Sequence, residues 1–561
     1  MPEIISRRAV RLSVLLLTCS LTLLCWERSQ LSNGFSHVVG DWLDGRIQAS
    51  IIAHWYNALR GLESWNSTAY FYPWADTLGY NDGYFLYGVV ASFFRYFQVD
   101  PFLSVDLANL VIRGIGFLAC YLFAVDVVAL GFGWAILASA IFTMANNAYV
   151  QQGHSQLVSV SFAPLLGWLM WRALQALRAR TNAAAILWGC AAAMLFGAWL
   201  LSAFYTAWFA TLFVVLVILS AALSQAVNAG EWWRAWRFVI AWPLLPIGVA
   251  AALCILPFLL VYLPKLHETG GHQFAEALAY TPNLFDLLHV GSDNLLFGGL
   301  DRWLIKTFYP SFPDYGEGTI GFPPVLAVLS LAGALLGLRG IGKQALLWRS
   351  IAIATILSFA LFVHLGHHTL WYIIYYGFPG ASGVRVVSRY AIFLEFPLAL
   401  LSVAFLASRA KRWPRWVTVI CVCVLLLEEI TTYNPAGLDR AAEMRLVNSI
   451  QPPPATCRAF VIQAPSSRPS IGVPVLDSLY PHNVDAMIIG EVLALPTVNG
   501  FSTFLPPDWT FQSIDQPDYI SRVGQYLRAH DLREGICGLD IARGIWSTQP
   551  SLGAAASLGE E

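Results

Sequence analysis

Residues Val39–Arg46 read VGDWLDGR and bring two aspartates and an arginine close together. This stretch begins about a dozen residues after the first apolar run, which ends at Trp26. Only 12% of the chain is charged, whereas a soluble domain usually has about 25% charged residues. Two acidic residues close to an apolar segment in such a chain indicate that their carboxylates have a specific structural or chemical role.

The composition indicates that lipid is the main solvent of this protein. The chain has 561 residues, of which 57% are hydrophobic, and its formal net charge is -1. A chain without an excess of positive charge is not expected to bind nucleic acid. The 22 tryptophans and 22 tyrosines suit membrane–water interfaces. We therefore expect a multi-pass membrane protein whose partners include the lipid bilayer and no nucleic acid.

Apolar segments of membrane-spanning length recur along most of the chain. A helix needs about 20 residues to cross the hydrocarbon core of a bilayer. The predicted spans are 10–26, 105–127, 133–150, 156–171, 183–203, 204–224, 237–262, 319–338, 350–366, 389–408 and 415–432. A further apolar segment, 83–97, is shorter and contains Arg95.

Basic residues decide how that shorter segment is interpreted, because cytoplasmic loops are enriched in Lys and Arg. If 83–97 does not span and the N-terminus is inside, four basic clusters are cytoplasmic. They are Arg172, Arg178 and Arg180; Arg234 and Arg237; Arg339, Lys343 and Arg349; and Arg409, Lys411, Arg412 and Arg415. If 83–97 spans, all four clusters move outside. We therefore predict a re-entrant or interfacial helix at 83–97 and about eleven transmembrane helices.

This topology predicts a mainly α transmembrane domain, residues 1–432, followed by an extracytoplasmic tail, residues 433–561. Two large outer loops, 27–104 and 263–318, belong to the first domain. In the tail, the stretches CRAFVIQA and VPVLDSL predict strands, and DYISRVGQYLRAH predicts an amphipathic helix. The tail is therefore expected to be a small α+β domain.

Two of the nine cysteines, Cys457 and Cys537, lie in the tail. They can form a disulfide if the tail is outside the cytoplasm. The sequence does not give the distance between them, so their pairing stays open at this stage.

The first outer loop contains a predicted amphipathic helix from Asp44 to Leu59. Its apolar face has helical spacing and consists of Ile47, Ile51, His54 and Trp55. We expect this helix to lie against a surface, with Asp44 at its N-terminus. Aspartate is a common N-cap, so a structural role for Asp44 stands beside a chemical one.

Several stretches resemble a known superfamily. They are DGRIQASIIAHWYNAL, FYPWADTLGYNDGYFLYG, the turn QQGHSQL, VRVVSRYA, and HNVDAMII and LPTVNGFSTFLPPDW of the tail. Over most of its length the chain resembles bacterial members of the GT-C superfamily, which are polytopic glycosyltransferases that use lipid-linked sugar donors. The resemblance implies a GT-C-like fold in the bacterial inner membrane, with the active site on the extracytoplasmic face.

The resemblance also implies a reaction. Asp44 matches the acidic residue of the family's first outer loop, and Asp41 is the alternative. The carboxylate would take the proton of an acceptor hydroxyl as its oxygen attacks the anomeric carbon, with inversion. The donor would be a polyprenyl-linked sugar, and the acceptor a glycan, a lipid or a protein. Positive charge or oriented donors must meet the leaving phosphate.

Five further residues are predicted to bind donor or acceptor. Arg385 and Arg389, in VRVVSRY, are four apart and would share one face of a helix, which suits a phosphate or lipid headgroups. His154 and Gln156, in QQGHSQ, lie at the outer end of a span, where polar groups are costly unless they are used or paired. Asp82, in TLGYNDGY, is either a turn residue or an acceptor-orienting acid.

A divalent metal is possible but not favoured, and no residue is assigned as a metal ligand. Metal-dependent relatives use acids from two outer loops. Here the turn at 151–156 has glutamines and His154 but no carboxylate that would act together with Asp44 and Asp82.

Two alternatives remain. A transporter or flippase of a lipid-linked or anionic substrate would use ionisable residues inside spans, for which Arg113, Asp126 and Glu395 are the candidates. A non-catalytic assembly subunit on the same fold is the other alternative. The identity of the sugar, the lipid carrier and the acceptor is not encoded in any motif of the sequence.

Overall fold

A computed structural model describes residues 2–41, 44–225, 242–310, 316–366, 368–466, 474–532 and 534–548. The basic residues Arg234 and Arg237, and the first residues of the predicted span 237–262, lie outside these ranges. The contacts divide the chain into two compact units. We call them the membrane unit (Met1–Leu31, Asn109–Pro257 and Gly271–Pro435) and the loop–tail unit (Ser32–Ala108, Phe258–Gly270 and Ala436–Glu561).

In its described residues the membrane unit is mainly helical, with one short hairpin in which His364–Leu365 pairs with His368–Thr369. Its helices are Pro2–Trp26, Phe132–Met144, Asn146–Val150, Ser155–Val158, Phe162–Arg178, Asn182–Leu200, Phe204–Gln225, Phe274–Ala279, Gly298–Phe308, Pro324–Leu338, Ala345–Phe362, Trp371–Gly377, Tyr390–Arg409 and Arg415–Leu427. The helices Arg28–Ser32, Pro101–Leu122 and Leu244–Thr269 each have residues in both units.

The expected multi-pass membrane architecture is confirmed. In the described part of the chain, eight helices are long and apolar enough to cross a membrane. Two shorter apolar helices, Pro324–Leu338 and Arg415–Leu427, coincide with two more of the predicted spans. The ambiguous segment 83–97 forms the helix Phe85–Tyr96, whose 12 residues are too few to cross a bilayer at about 1.5 Å per residue.

The predicted span 133–150 is not one helix. It is divided at Ala145, whose extended backbone (φ −38°, ψ 121°) separates Phe132–Met144 from Asn146–Val150. The prediction was wrong here because residues 134–150 contain no proline or glycine that would indicate a break.

Two charged side chains bind the backbone groups that this break leaves without helical partners. The buried guanidinium of Arg113 donates to the carbonyl oxygens of Phe142 at 2.7 Å and Thr143 at 2.9 Å. The carboxylate of Glu429 accepts the backbone N–H of Asn146 at 2.7 Å. Arg113, which was a candidate for transport chemistry, therefore has a structural task.

The predicted span 237–262 is also displaced, because the helix is Leu244–Thr269. The prediction ended at the first charged residues, and the helix continues through them. Lys265 donates to Glu268 at 3.1 Å and to the hydroxyl of Tyr80 at 3.0 Å. A lysine that is buried with these partners does not end a helix, so the second outer loop begins after residue 269 rather than at 263.

Helix packing in the membrane unit depends on close backbone approach. In an apolar 18-residue stretch of Val387–Arg409, 83% of the residues are buried, whereas the corresponding share in Leu244–Thr269 is 6%. A Cβ on Gly333 would lie 2.1 Å from the carbonyl oxygen of Leu401, so Pro324–Leu338 meets this buried segment at a position where a side chain has no room. Small residues at such crossings let helices associate in lipid.

The loop–tail unit contains a small α+β fold, as expected. Its sheet has the order Ala459–Ala464, Ile536–Asp540, Ile545–Ser547, with the first pair parallel and the second antiparallel. Its helices within one unit are Asp44–Leu59, Phe85–Tyr96, Arg440–Ser449, Pro474–Leu493 and Tyr519–Ala529, and a second strand pair joins His37–Val38 to Leu438–Asp439.

Three predictions for the tail can be compared with this fold. The strand in CRAFVIQA and the helix in DYISRVGQYLRAH are confirmed. VPVLDSL was wrongly predicted as a strand, because residues 474–479 open the helix Pro474–Leu493, which we call the tail helix. Proline favours the first position of a helix, and a short apolar run has no periodicity that separates strand from helix.

Cys457 and Cys537 form a disulfide, with a Cα–Cα distance of 5.6 Å. Cys537 lies on the middle strand of the sheet, opposite Phe460 of the neighbouring strand. The same two strands and the tail helix bury a shared apolar core that includes Ile462, Ile489 and Leu539.

The helix Asp44–Leu59, which we call the first-loop helix, has the predicted bounds. It is buried on more than the predicted apolar face, because Arg46, Gln48 and Asn57 are buried as well as the apolar residues. The fully buried Arg46 donates to Glu443 at 2.8 Å and to Asp485 of the tail helix. The expectation of a helix that lies with one face on a surface was therefore incomplete.

This buried arginine leads to a stability prediction. Arg46→Met removes the cation and leaves the buried carboxylates of Glu443 and Asp485 facing each other. Breaking a buried ion pair from one side costs about 3–5 kcal/mol. We expect a large fall in the unfolding midpoint of the detergent-solubilised protein, measured by tryptophan fluorescence. Arg60→Met, at an exposed position just beyond the same helix, is the control and should leave the midpoint within experimental error.

Candidate functional site

The stretch VGDWLDGR closes on itself through its two glycines. Gly40 has a φ of +104°, and a Cβ on it would lie 2.7 Å from the Cα of Gly45. A Cβ on Gly45 would lie 2.8 Å from the Cα of Gly40. The backbone also accepts an N–H from Gly437 on the Gly40 carbonyl at 3.0 Å. Only glycine fits both positions. Asp41 follows the first glycine and Asp44 precedes the second, so both aspartates lie between them in the chain.

The structure separates the two aspartates by position. Asp41 accepts the backbone N–H of Gly45 at 3.2 Å, so its carboxylate takes part in forming the start of the first-loop helix. Asp44 is the first residue of that helix. Both side chains are exposed, while the next eight residues of the chain, starting at Gly45, are buried. An exposed carboxylate at the head of a buried helix is held in place and accessible.

Asp82 is half-buried and lies in the short irregular segment before the helix Phe85–Tyr96. Its backbone N–H donates to the side-chain oxygen of Asn81 at 2.9 Å. The carbonyl of Asn81 accepts the hydroxyl of Tyr262 at 2.8 Å. Asp82 lies in the same unit as Asp41 and Asp44, and its role stays a prediction.

The membrane unit brings three other predicted site residues around one carboxylate, that of Glu317. Arg389 donates to it through Nε at 3.1 Å and through Nη2 at 2.6 Å, a planar two-point contact. His154 Nε2 lies 3.8 Å from the same carboxylate. Glu317 was not predicted from the sequence.

Arg385 acts on Glu317 through its charge but is not on the same helical face as Arg389. Arg389 ends a single 3-10 turn, Val387–Arg389, whereas Arg385 precedes that turn. The shared face expected from their spacing of four residues was therefore wrong, because the helix begins after Arg385. The backbone N–H of Arg385 donates to the hydroxyl of Tyr205 at 2.8 Å.

Electrostatics favours the ionised form of Glu317. Burial alone would raise the pKa of its carboxyl, but the guanidinium of Arg389, with smaller effects from His154 and Arg385, holds that pKa below its usual range. The side chain is 28% exposed, so it borders on solvent. This region of the membrane unit is therefore a mixed-charge cluster at which an anionic group meets two arginines and a histidine.

The turn that carries His154 and the loop that carries Glu317 are joined by hydrogen bonds. Gln151 donates to the carbonyl of Gly316 at 2.7 Å, and Gly316 has a φ of +146°. His154 and Gln156 are half-buried on either side of Ser155. Gln156 accepts the hydroxyl of Ser159 on its backbone carbonyl at 2.6 Å.

Glu317 supplies the carboxylate that the turn at 151–156 lacks. Its signal in the sequence is the run GEGTIGF, a single acid between two glycines in the second outer loop. Glycines on both sides let a backbone approach closely, which would have made this acid a candidate. The link to His154 was not predictable, since 163 residues separate the two in the chain (317 − 154).

The three ionisable residues considered for transport have different environments. Arg113 holds the broken helix described above. Asp126 accepts the indole N–H of Trp168 at 2.9 Å and lies 3.9 Å from Arg172 at a partly exposed position. Glu395 is fully buried in the segment Val387–Arg409, and within the described ranges its two carboxylate oxygens have no hydrogen-bond partner.

No protein-family model matches the sequence, and no curated protein matches it. Solved structures with a similar fold do exist. An apo oligosaccharyltransferase of Archaeoglobus fulgidus matches with a TM-score of 0.50 and 11% identity, covering 87% of this chain and 64% of that one. The arabinofuranosyltransferase AftD from Mycobacteria matches with a TM-score of 0.50 and 14% identity, covering 88% and 32%.

ArnT from Cupriavidus metallidurans, bound to undecaprenyl phosphate, matches with a TM-score of 0.44 and 11% identity. The match covers 95% of this chain and 93% of that one. The chain spans about two thirds or less of the length of the first two proteins. At these identities the likeness shows the fold alone, and it is the fold of GT-C glycosyltransferases. The fold expected from the sequence resemblance is confirmed.

The cluster around Glu317 leads to a prediction about pH. Because the folded-state pKa of Glu317 lies below its unfolded value, the pair with Arg389 stabilises the protein above that unfolded value. The stabilisation is lost as pH falls through the folded pKa. When the pH is lowered from neutral to about 3, the unfolding midpoint of the wild type should therefore decrease. The decrease should be smaller in Glu317→Gln, which lacks this carboxylate.

The matched control for this measurement is Glu276→Gln. Glu276 also contacts a histidine, His272, but its side chain is 49% exposed. This variant should keep the pH dependence of the wild type. A Glu317→Gln midpoint that follows pH as steeply as the wild type contradicts the assignment.

Proposed function

We propose that this chain, a multi-pass membrane protein with the GT-C fold, is a glycosyltransferase. It moves a sugar from a polyprenyl-phosphate-type lipid donor to an extracytoplasmic acceptor. The fold supports the class of reaction, since both matched structures with a TM-score of 0.50 are named as enzymes that transfer sugars. The exposed carboxylate at the head of the first-loop helix carries the proposal for this chain.

Asp44 is the proposed catalytic base. A base must be accessible to the acceptor hydroxyl and held in a fixed position, and Asp44 is exposed on a helix whose following residues are buried. The contact between Gly40 and Gly45 fixes the backbone on both sides. Asp41 is the alternative base, but its carboxylate already accepts the N–H of Gly45, which favours a positioning role. A single base acting in direct displacement gives inversion at the anomeric carbon.

Arg389 and Arg385 are the proposed ligands of the donor phosphate. Glu317 binds the Nε and Nη2 edge of Arg389 and so fixes the plane of the guanidinium before any ligand arrives. Donors that are already oriented stabilise developing charge without a reorganisation cost. His154 and Gln156, on the turn joined to the Glu317 loop, and Asp82, in the same unit as Asp41 and Asp44, are proposed to contact the donor or the acceptor.

The proposed location is the bacterial inner membrane, with the loop–tail unit on the extracytoplasmic face. The topology predicted from the sequence supports this orientation, because it puts the four basic clusters on the cytoplasmic side. The disulfide between Cys457 and Cys537 supports it independently, because disulfides persist in oxidising compartments. The acceptor is a glycan, a lipid or a protein on that side, and no residue is assigned as a metal ligand in the transfer reaction.

Asp44→Asn tests the base. The change keeps the shape of the side chain and removes its ability to accept a proton, so transfer should fall by orders of magnitude, with unchanged protein level. The measurement is the transfer of label from synthetic undecaprenyl-phosphoryl sugars, offered as a panel, to membrane acceptors. Asp41→Asn is the paired variant and should have the smaller effect. Transfer that survives Asp44→Asn excludes Asp44, and a loss confined to Asp41→Asn assigns the base to Asp41.

Arg389→Lys tests the phosphate site. Lysine keeps the charge but cannot make the two-point contact with Glu317 or a planar contact with phosphate. A hydrogen bond to a charged group contributes about 1.5–3 kcal/mol, so we expect the KM for the lipid-linked donor to rise by about 10–100-fold. Arg172→Lys, which alters an arginine beside Asp126, is the control. An unchanged KM in Arg389→Lys rules out this role.

A further inference from the structure

The loop–tail unit contains a second cluster of polar side chains, separate from Asp41, Asp44 and Asp82. His54 lies on the first-loop helix, Glu63 lies in the loop after it, and Glu491 lies on the tail helix. One ligand atom from each of the three lies within 4.8 Å of the others. His54 and Glu491 are buried, while the side chain of Glu63 is 9% exposed and forms the rim.

The imidazole of His54 has an acceptor at each ring nitrogen. Nδ1 lies 2.6 Å from the carboxylate of Glu63, and Nε2 lies 3.3 Å from the backbone carbonyl of Trp65. A neutral imidazole has one N–H and therefore satisfies only one of these acceptors. The other contact is satisfied by a metal ion that both groups bind, or by a second proton on the ring or on the carboxylate.

The contact with Trp65 fits a metal-binding histidine. Such a residue usually donates its second ring N–H to a carbonyl or a carboxylate, which fixes the tautomer and aims the other nitrogen at the metal. In this arrangement Nε2–H donates to Trp65, and the lone pair of Nδ1 points towards Glu63. The distance of 2.6 Å between Nδ1 and the carboxylate is short enough for one small ion to reach both after a slight separation.

The two carboxylates are oriented by neighbouring groups. The side chain of Asn57 donates to Glu63 at 2.9 Å and to Glu491 at 3.2 Å. The backbone N–H of Ala69 donates to the other oxygen of Glu491 at 3.1 Å. Two carboxylates held side by side in a buried place repel each other unless a positive charge lies between them. The backbone and amide donors supply no such charge.

We propose that His54, Glu63 and Glu491 bind one divalent transition-metal ion, for which Zn²⁺ is the matching probe. One imidazole nitrogen and two carboxylate oxygens form a set of three protein ligands that Zn²⁺ accepts, with water in the fourth position. Imidazole in the set favours Zn²⁺ and its neighbours over Mg²⁺ and Ca²⁺, which prefer oxygen ligands. The inference is independent of the proposed glycosyl transfer.

The proposed ion joins parts of the chain that are far apart in sequence. It connects the first-loop helix to the tail helix within the loop–tail unit, where Asn57 also donates to the backbone carbonyl of Glu491 at 2.7 Å. A metal that binds only the folded state stabilises that state. The ion would therefore fix the C-terminal half of the first-loop helix, whose N-terminal residue is Asp44.

The test uses the full chain in detergent, purified without a histidine tag, stripped with EDTA and dialysed against ZnCl₂. Plasma mass spectrometry should give about one equivalent of Zn²⁺ per chain. Zn²⁺ should raise the unfolding midpoint of the wild type, and Co²⁺ in its place should give the visible absorption of a four-coordinate site. Loss of a ligand should weaken binding by more than about 100-fold, since changes outside the ligand set cost about 10–100-fold.

Three variants make the outcome decisive. His54→Gln and Glu63→Gln should lose the metal and the rise in midpoint. Glu63 is at the rim, so this variant keeps the test valid if His54→Gln does not fold. His530→Gln removes another histidine of the same unit, which contacts Asp508 at 2.7 Å, and should bind Zn²⁺ like the wild type.

Two results would overturn the proposal. One is a wild type that retains no more Zn²⁺ than Glu63→Gln and whose midpoint does not respond to ZnCl₂. This result identifies the cluster as an imidazolium with a carboxylate pair that shares a proton. The other is an equal loss of Zn²⁺ in His530→Gln, which identifies the bound metal as surface-associated.

Discussion

The membrane unit depends on one constraint, which is that lipid offers no water to backbone groups that leave a helix. The break at Ala145 exposes the last carbonyls of one helix and the first N–H groups of the next. Arg113 binds the carbonyls of Phe142 and Thr143, and Glu429 binds the N–H of Asn146. Each unsatisfied group would cost several kcal/mol in hydrocarbon. The buried charges of Arg113 and Glu429 therefore complete the backbone, and an ionisable residue in a span does not by itself indicate a transport path.

The same rule explains other acids of this chain. The carboxylate of Glu428 accepts the N–H groups of Val325 and Leu326 at 2.9 and 2.7 Å, at the start of Pro324–Leu338. In the loop–tail unit, Asp41 accepts the N–H of Gly45 at the start of the first-loop helix. Negative charge at a helix N-terminus is favourable as well as complementary to free N–H groups. Glu317 differs from these acids, because its carboxylate binds the side chain of Arg389 rather than a backbone N–H.

The sequence predicted those features that local pattern encodes. The first-loop helix and the helix Tyr519–Ala529 have helical periodicity, the strand Ala459–Ala464 is a short run of apolar and β-branched residues, and the basic clusters excluded 83–97 as a span. The sequence analysis did not predict features that depend on residues far away in the chain. The end of Leu244–Thr269 is hidden by the pairing of Lys265 with Tyr80 and Glu268, and Glu317 becomes significant only beside Arg389 and His154. Half of the buried face of the first-loop helix is polar, because its partners, such as Asp485 and Glu491, come from the tail.

That polar face has a consequence for the order in which the protein is made. Arg46 is separated from Glu443 by 397 residues and from Asp485 by 439, and Asn57 from Glu491 by 434. At about 5–20 residues per second, the ribosome needs roughly 20–90 s to reach the partners of a helix it has already released. During that interval the helix has a charge and several amides with no place to be buried. The chain must therefore keep its first loop soluble or sheltered until its last quarter emerges, and a shortened tail would leave the early segment permanently incomplete.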